Sequence, residues 1–242
     1  MPDTNDRHTE WFVPSIGPIK FRIFVGLLFL PYTGMVLAYT VIGATLAGSV
    51  DMKRVGALAV VYFLALGIAA HALDALGSRG VKPWATHFSP AQLWSLMILT
   101  SLPAAVIGGY YALYHAPLLW PIGLLEFFFL FAYNLEWFNG RFHTDGWFFF
   151  SWGVLPVLAG YVMQTNRLSL AALLVALAAG LFSLVEITAS RPYKVLKRAP
   201  GQDAAGPRSA AIYERILKSI SLGVILLGLG MLLWRLRFPF SP

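Results

Sequence analysis

The sequence has no cysteine and little charge. None of its 242 residues is Cys, which excludes a disulfide scaffold and a thiolate metal site. Only 12% of the residues are Asp, Glu, Lys or Arg, against roughly 25% in a typical soluble domain. Because so little charge cannot cover the surface of a soluble globule, no nucleic-acid partner is expected despite the net charge of +7.

Hydrophobic residues dominate instead. They make up 58% of the chain and the mean hydropathy is +0.68, which excludes a disordered protein. The apolar runs are continuous rather than alternating, which indicates membrane-spanning helices and not a β-barrel. We therefore predict an all-α, polytopic membrane helical bundle. About 20 apolar residues cross a bilayer, and seven runs approach that length: Phe21–Ser49, Val55–Leu76, Gln92–Tyr111, Pro117–Tyr133, Trp147–Met163, Leu168–Glu186 and Ile216–Leu236.

These seven runs form a single predicted transmembrane domain, residues 21–242, behind a polar segment at residues 1–20. Thirteen of the eighteen Lys and Arg residues lie on the side of the N-terminus. The positive-inside rule then places the N-terminus in the cytoplasm and, with seven helices, the C-terminus outside. The longest cytoplasmic connection is predicted at residues 188–212.

Ionisable and polar residues collect in the connections on that cytoplasmic side. The first cluster closes the second helix, where His71 and Asp74 share a helix face at spacing i, i+3. They could ligate a hard cation or form an acid–base pair, or they could be a hydrated pair at the helix end. Arg79 and Lys82 follow, as a phosphate site or as ordinary cytoplasmic charges.

The second cluster lies between the fourth and fifth helices. It could form half of a catalytic site, or a solvated turn with an internal ion pair. Tyr133 and Asn134 could bind a ligand or anchor the helix at the headgroups. The cluster consists of Tyr133, Asn134, Glu136, Arg141, His143 and Asp145.

The third cluster follows the sixth helix. Glu186 ends that helix, and Arg191 and Lys194 come after it with Lys197 and Arg198. Such a row of cations can hold a diphosphate or contact anionic lipid headgroups. We favour headgroups for the last two cations and leave both possibilities open for Arg191 and Lys194.

Two features lie inside the predicted spans. Glu126 is the acid of the fourth run, two turns before Tyr133, and a carboxyl at such a depth is expected to face the bundle interior or a cavity. Gly223, Gly228 and Gly230 of the last helix indicate close helix packing.

The arrangement of these segments resembles the UbiA superfamily of intramembrane prenyltransferases over roughly residues 20–195. Arg22 opens the first helix, and Pro31 lies further along it. The acid-bearing segment His71–Arg79 closes the second helix, where that family has an Asn/Asp-x-x-x-Asp-type motif. The segment Tyr133–Tyr161, which includes the run Trp152–Pro156, is similar to the fourth-to-fifth helix region of the family.

The resemblance implies a bundle with its active-site loops on the cytoplasmic face and a metal-assisted transfer of a prenyl group from an allylic diphosphate. Asp74 and Glu186 would then bind Mg²⁺, and Tyr133 would flank the prenyl cation. The cations Arg79, Arg191 and Lys194 would contact the diphosphate. His71 and Ser78 replace acidic or amide positions of the first motif, and the second motif is reduced to Glu186-x-x-x-Ser190. Either the metal site is rebuilt with His71, His143 and Asp145, or the diphosphate chemistry has been lost.

Three functions remain open from the sequence. The leading hypothesis is a lipid-modifying transferase that acts on an isoprenoid diphosphate with Mg²⁺. The alternatives are a His/carboxylate metal-dependent lipid hydrolase and a non-catalytic lipid-binding protein of the same fold. The candidate catalytic residues are Asp74, His71, Glu136 and Asp145. The candidate substrate-binding residues are Arg79, Lys82, Tyr133, Asn134, Arg141, Arg191 and Lys194. The candidate metal ligands are Asp74, Glu186, His71 and His143.

Overall fold

The structure, a computed structural model, describes residues 10–77, 87–198 and 205–238. Within these ranges every regular element is helical, which confirms the all-α prediction. The elements are α1 (Ile19–Leu27), α2 (Leu30–Thr45), α3 (Met52–Tyr62), π1 (Phe63–Ala70), α4 (His71–Gly77), α5 (Pro90–Tyr114), α6 (Leu119–Ala132), α7 (Trp137–Gly140), α8 (Asp145–Phe148), π2 (Phe149–Val154), α9 (Leu155–Thr165), α10 (Leu170–Arg198) and α11 (Ala205–Arg237).

Six continuous helical stretches of the described chain are long and apolar enough to cross a membrane, as expected for a multi-pass membrane protein. They are Ile19–Thr45, Met52–Gly77, Pro90–Tyr114, Asp145–Thr165, Leu170–Lys197 and Gly206–Arg237. The predicted fourth run forms α6, which has 14 residues. At 1.5 Å per residue it is about 21 Å long, which is shorter than a hydrocarbon core of roughly 30 Å.

The bundle has two ends that carry different loops. The end that we call the site edge contains Gly77, the segment Tyr133–Asp145 and the last turns of α10. The end that we call the opposite edge contains Asp51, Leu118, the segment Gln164–Asn166 and Arg235. Hydrogen bonds join Asp51 to Gln164 and Leu118 to Asn166. The connections that contain Asp51, Leu118 and Gln164 therefore lie together, away from the three polar clusters.

The first apolar run is one span with a break in its backbone. Phe29 separates α1 from α2 and has a left-handed backbone with φ of 43°, a conformation that bulky side chains rarely adopt. The Thr33 hydroxyl donates a hydrogen bond to the Leu28 carbonyl at 2.7 Å, which satisfies an acceptor at the break. The break turns the Phe29 ring into the bundle, where it is buried.

Close contacts between backbones hold α2 against its neighbours. A Cβ atom at Gly43 would lie 2.0 Å from the Val157 carbonyl oxygen, and one at Gly160 would lie 2.1 Å from the Thr40 carbonyl oxygen. Only glycine permits α2 and α9 to approach this closely. Gly228 of α11 packs in the same way, because its Cβ would lie 2.9 Å from the Ala38 side chain.

The prediction of close packing is wrong for Gly223 and Gly230. A Cβ atom at either position would meet no other part of the described chain within 4 Å. The reason is the orientation of α11, which presents Gly228 to α2 while the other two glycines face away from it. Glycine spacing alone does not reveal which face of a helix is covered.

The helices extend into the segment that was predicted as the cytoplasmic connection 188–212. α10 continues through Pro192 to Arg198, and α11 begins at Ala205. Tyr193, just after that proline, is buried and packs with Leu217 of α11. Tertiary packing of this apolar face keeps the end of α10 helical despite the hydrogen bond that Pro192 cannot donate.

Candidate functional site

Charged residues from all three predicted clusters act electrostatically on Tyr133 at the site edge. Burial raises the pKa of the Tyr133 phenol, and the negative charges of Asp74, Glu186 and Asp145 raise that pKa further, whereas the positive charge of Arg191 lowers it. The phenol therefore remains neutral at physiological pH. Since these charges act on one ring from α4, α8 and α10, the tertiary structure brings the three clusters together.

An ion pair joins the second cluster to the third. The Arg191 guanidinium lies 2.5 Å from a carboxylate oxygen of Asp145, and each side chain keeps a substantial exposed fraction, 50% and 37% respectively. The Thr144 hydroxyl accepts a hydrogen bond from the Trp147 backbone N–H and so caps the helix that begins at Asp145. This cap fixes the carboxylate at the start of α8, where Arg191 of α10 can contact it.

A close backbone contact joins the first cluster to the second. A Cβ atom at Gly77 would lie 2.1 Å from the Asn134 carbonyl oxygen and 2.6 Å from the Leu135 Cα. The end of α4, three residues after Asp74, therefore rests directly on the chain that follows Tyr133. The buried Asn134 amide donates to the Leu130 carbonyl at 2.9 Å, so this side chain supports the end of α6.

A row of aromatic rings runs along the same edge. We call Phe29, His71, Trp152, Phe148, Tyr133 and His143 the aromatic row. The His71 ring stacks on Phe29 with 4.8 Å between centroids and lies 5.5 Å from Trp152. The His143 ring lies 4.5 Å from the Tyr133 ring. Four separate segments of the chain thus contribute to one row.

Both π-helical segments lie next to this row. π1 ends at Ala70, immediately before His71, and π2 contains Trp152. A π-helix changes the angular position of the residues that follow it and is often found at functional sites. Here the two segments orient the His71 and Trp152 rings toward each other.

The Glu186 side chain is buried at the site edge of α10. Lys194, two turns further along this helix, interacts electrostatically with it. The Ser190 hydroxyl lies between them in sequence, is only 1% exposed, and has no hydrogen-bond partner among the described residues. A buried hydroxyl without a partner costs free energy, which is consistent with a site that a ligand completes.

The segment between α6 and α8 has an unusual backbone. Glu136, Phe138 and Asn139 have left-handed φ angles of 52°, 55° and 61°, and such strain often lies at functional sites. The Nδ1 atom of His143 lies 3.0 Å from the Tyr133 carbonyl oxygen, so this histidine closes the segment onto Tyr133. Arg141 is exposed.

The structure thus brings together a subset of the predicted site residues. Asp74, Asp145, Glu186 and Arg191 lie around Tyr133, and Lys194 acts on Glu186. His71 and His143 are both in the aromatic row, whereas Asn134 supports the backbone. Arg79 and Lys82 lie outside the described residues. In the chain that the structure describes, no three His, Asp or Glu side chains form a group that could hold a metal ion.

The N-terminal segment lies against the same edge. The Tyr193 hydroxyl donates a hydrogen bond to the Glu10 carboxylate at 2.8 Å, and both side chains are buried. The Phe12 ring lies 4.9 Å from Phe29 and so continues the aromatic row outward. The polar segment of the sequence is therefore partly built into the helical domain.

Nothing in the sequence indicated Phe29 as a site residue, and Phe148 and Trp152 were left open between the core, the lipid and the wall of a pocket for an isoprenoid or acyl tail. Aromatic residues are frequent throughout this chain, and those near the site carry no pattern that separates them from lipid-facing ones. Only the left-handed turn at Phe29 and the two π-helical segments give these rings their positions. Ser190 was noted only as a departure from an acidic motif, although its burial makes it informative.

Comparisons with family models, with curated proteins and with solved structures found no match to this chain.

Proposed function

We propose that this protein is an intramembrane transferase, similar to the UbiA superfamily, that acts on an isoprenoid lipid with a diphosphate head. In this proposal α6 is the fourth of seven crossings, and the site edge faces the cytoplasm. One observation carries the proposal: the close contact of Gly77 with the Asn134 backbone and the ion pair of Asp145 with Arg191 bring the three polar clusters together beside Tyr133. The sequence resemblance supplies the reaction class.

The cations of α10 are suited to bind the diphosphate. Arg191 is half exposed, and its present partner Asp145 is also partly exposed, so a more highly charged anion can compete for the guanidinium. Lys194 lies one turn further along the same helix, and Arg191 is preceded by Ser190, whose hydroxyl has no hydrogen-bond partner among the described residues. These three groups offer the leaving diphosphate several hydrogen-bond donors.

The aromatic row is suited to stabilise the prenyl cation, which forms together with the leaving diphosphate. When the allylic C–O bond breaks, both electrons leave with the diphosphate and the prenyl group becomes cationic. Ring faces attract a cation within about 6 Å, and the rings of Tyr133, Phe148 and Trp152 succeed one another along this edge. The acceptor then forms a bond to the prenyl carbon, and Asp74 is our candidate to take the proton that the acceptor loses.

The described residues do not form the metal site that the resemblance implies. Mg²⁺ prefers several oxygen ligands, whereas Asp145 is paired with Arg191 and Glu186 interacts with Lys194. No described group of three His, Asp or Glu side chains is available for a metal. We therefore assign no step to Mg²⁺ and make it a variable of the experiment.

The experiment is thermal unfolding of the full chain in detergent with geranylgeranyl diphosphate, with and without Mg²⁺. A ligand at 100 times its Kd stabilises the folded state by about 2.7 kcal/mol. We expect this stabilisation in the wild type, and its loss in Arg191→Gln. The matched control is Lys218→Gln, because Lys218 has the same 50% exposure and forms an ion pair with Glu214 at 2.6 Å. Equal stabilisation of both variants, or by geranylgeraniol without the diphosphate, would contradict the proposal.

The second candidate function is lipid binding without catalysis. The pairing of Asp145 with Arg191 favours it, since a carboxylate already neutralised by a guanidinium is a poor base and a poor metal ligand. Asp74→Asn separates the two functions: a transferase loses turnover while the diphosphate still stabilises the variant. If all carboxylates of the site edge can be neutralised without loss of function in the host, the binding protein is the better description. No specific observation favours the hydrolase.

A further inference from the structure

A second site is indicated by a cavity of about 410 Å³ between helices, which is partly open to the surface of the bundle, where Trp120, Leu124 and Phe127 are exposed. Its wall is formed by residues of α3, π1, α5, α6 and α9, most of them apolar. This volume lies within the range of roughly 300–1,000 Å³ that is typical of small-molecule sites. Arg191 and the other charged residues around Tyr133 do not line it.

One hydrogen-bonded polar pair lies in this apolar wall. The Tyr62 hydroxyl donates to the Oε1 atom of Glu126 at 2.8 Å, and both residues line the cavity. From the sequence, Glu126 is expected to face the bundle interior or a cavity, and in the structure it lines this cavity. A carboxyl among apolar helices marks a functional site, yet the proposed transferase reaction does not use it. Because Tyr62 contacts one oxygen, the carboxyl can still accept a hydrogen bond from a ligand.

Three glycines enlarge the cavity without a packing reason of their own. Gly108 and Gly109 of α5 and Gly123 of α6 all line it. A Cβ atom at any of them would meet no other part of the described chain within 4 Å, and none has a positive φ angle. Glycine inside a helix costs about 1 kcal/mol relative to alanine. Contacts within the described chain therefore do not explain these glycines. A ligand that occupies the space beside them would explain them.

We infer that this cavity binds a lipophilic alcohol, whose hydroxyl donates a hydrogen bond to Glu126 and whose apolar body fills the space beside Gly108, Gly109 and Gly123. An alcohol matches the site because the wall is almost wholly apolar and its carboxyl accepts a hydrogen bond. The inference is independent of the proposed transferase function and assigns a second ligand to the protein.

Trp120 provides the readout, because this residue also lines the cavity. The full chain is reconstituted in a lipid nanodisc and titrated with bromododecanol, whose bromine quenches indole fluorescence. Subtraction of the signal of Trp120→Phe isolates the contribution of Trp120. We expect saturable quenching by bromododecanol. Bromododecane, which lacks the hydroxyl, should bind about tenfold more weakly, which corresponds to about 1.4 kcal/mol.

Four variants test the contacts. Glu126→Leu should reduce the affinity for the alcohol to that for the alkane, whereas Glu126→Gln keeps an acceptor oxygen and should retain binding. Gly109→Leu fills the cavity and should abolish saturable quenching. The matched control is Gly223→Leu, because Gly223 is also a helical glycine with open space around it but does not line the cavity.

Unchanged saturation curves in Gly109→Leu and Glu126→Leu would overturn the inference, since Trp120 would then report only bulk lipid. If Glu126→Leu does not fold, Gly109→Leu by itself provides this test. Arg191→Gln should leave the alcohol curve unchanged, which separates this site from the diphosphate site. If geranylgeranyl diphosphate displaced the alcohol from the wild type but not from Arg191→Gln, the cavity would be the tail pocket of the diphosphate site and the inference of a second ligand would be wrong.

Discussion

The two ends of the bundle use polar residues in different ways. At the opposite edge, polar side chains bind backbone groups: Gln164 exchanges two hydrogen bonds with the backbone of Asp51, and Arg54 donates to the Met163 carbonyl. At the site edge, Asn134 and His143 also bind backbone groups, but Asp145 and Arg191 form an ion pair between two helices. The first arrangement ties loops together, and the second leaves groups that a ligand can engage.

The difference shows that the number of polar residues is a poor guide to function. The Asn166 side chain accepts from the Leu118 N–H, and the buried Arg235 donates to the Gly48 carbonyl. Both residues belong to the opposite edge, and each satisfies a backbone group there. Ser190 at the site edge has no such explanation within the described chain.

The largest effect that should separate the two edges is expected from Gly77→Ala. The new Cβ would collide with the Asn134 backbone, and overpacking of this kind typically costs 1–3 kcal/mol, here about 3 because backbone must move. The contact between the first two clusters would open, so the diphosphate should no longer stabilise the variant. The matched control is Gly48→Ala at the opposite edge, where a Cβ meets nothing within 4 Å in the described chain. Thermal unfolding with and without geranylgeranyl diphosphate measures both effects.

An intermediate effect is expected from Arg235→Leu at the opposite edge. The substitution removes the buried guanidinium that donates a hydrogen bond to the Gly48 carbonyl. The free energy of unfolding should therefore fall by about 2 kcal/mol. Stabilisation by the diphosphate should persist, because this residue is not at the site edge. Arg237→Leu, two residues further and exposed, should be nearly neutral. Loss of ligand stabilisation in Arg235→Leu would show that the two edges are not independent.

The smallest effect is expected from Gln164→Ala. The variant loses two exposed hydrogen bonds to Asp51, which should lower the free energy of unfolding by about 1 kcal/mol. Arg167→Ala in the same connection provides the comparison, since Arg167 is exposed. Denaturation of the two variants in the same detergent gives the difference. Equal stability would mean that these hydrogen bonds do not hold the loops together.

Much of the fold could be predicted from the sequence because continuous apolar runs leave few alternatives in a membrane. The runs Val55–Leu76 and Gln92–Tyr111 lie inside the observed helical stretches Met52–Gly77 and Pro90–Tyr114. The break at Phe29 and the two π-helical segments could not be predicted. Position 29 is neither Gly nor Pro, and the π-helical turns have the same apolar composition as an α-helix.

For the candidate site, the sequence could predict only that its residues lie on the same side of the membrane. The grouping of Asp74, Asp145 and Glu186 on one side follows from the helix count, but their approach to Tyr133 depends on packing between helices far apart in sequence. Arg79 and Lys82 remain predictions, because they lie outside the described residues. The hydrogen bond from Tyr62 to Glu126 joins residues 64 positions apart in the chain, and no local sequence pattern predicts it.

Composition and the lengths of the apolar runs by themselves determined that this chain forms a bundle of apolar helices with most of its ionisable residues, Glu126 excepted, toward the helix ends, because unpaired charge is costly in hydrocarbon. The tertiary structure alone decided which of those residues meet. The close approach of Gly77 to Asn134 and the left-handed turn at Phe29 set the clusters and rings against one another. Such contacts arise from the shapes of packed helices, and they are not recorded in the spacing of residues along the chain.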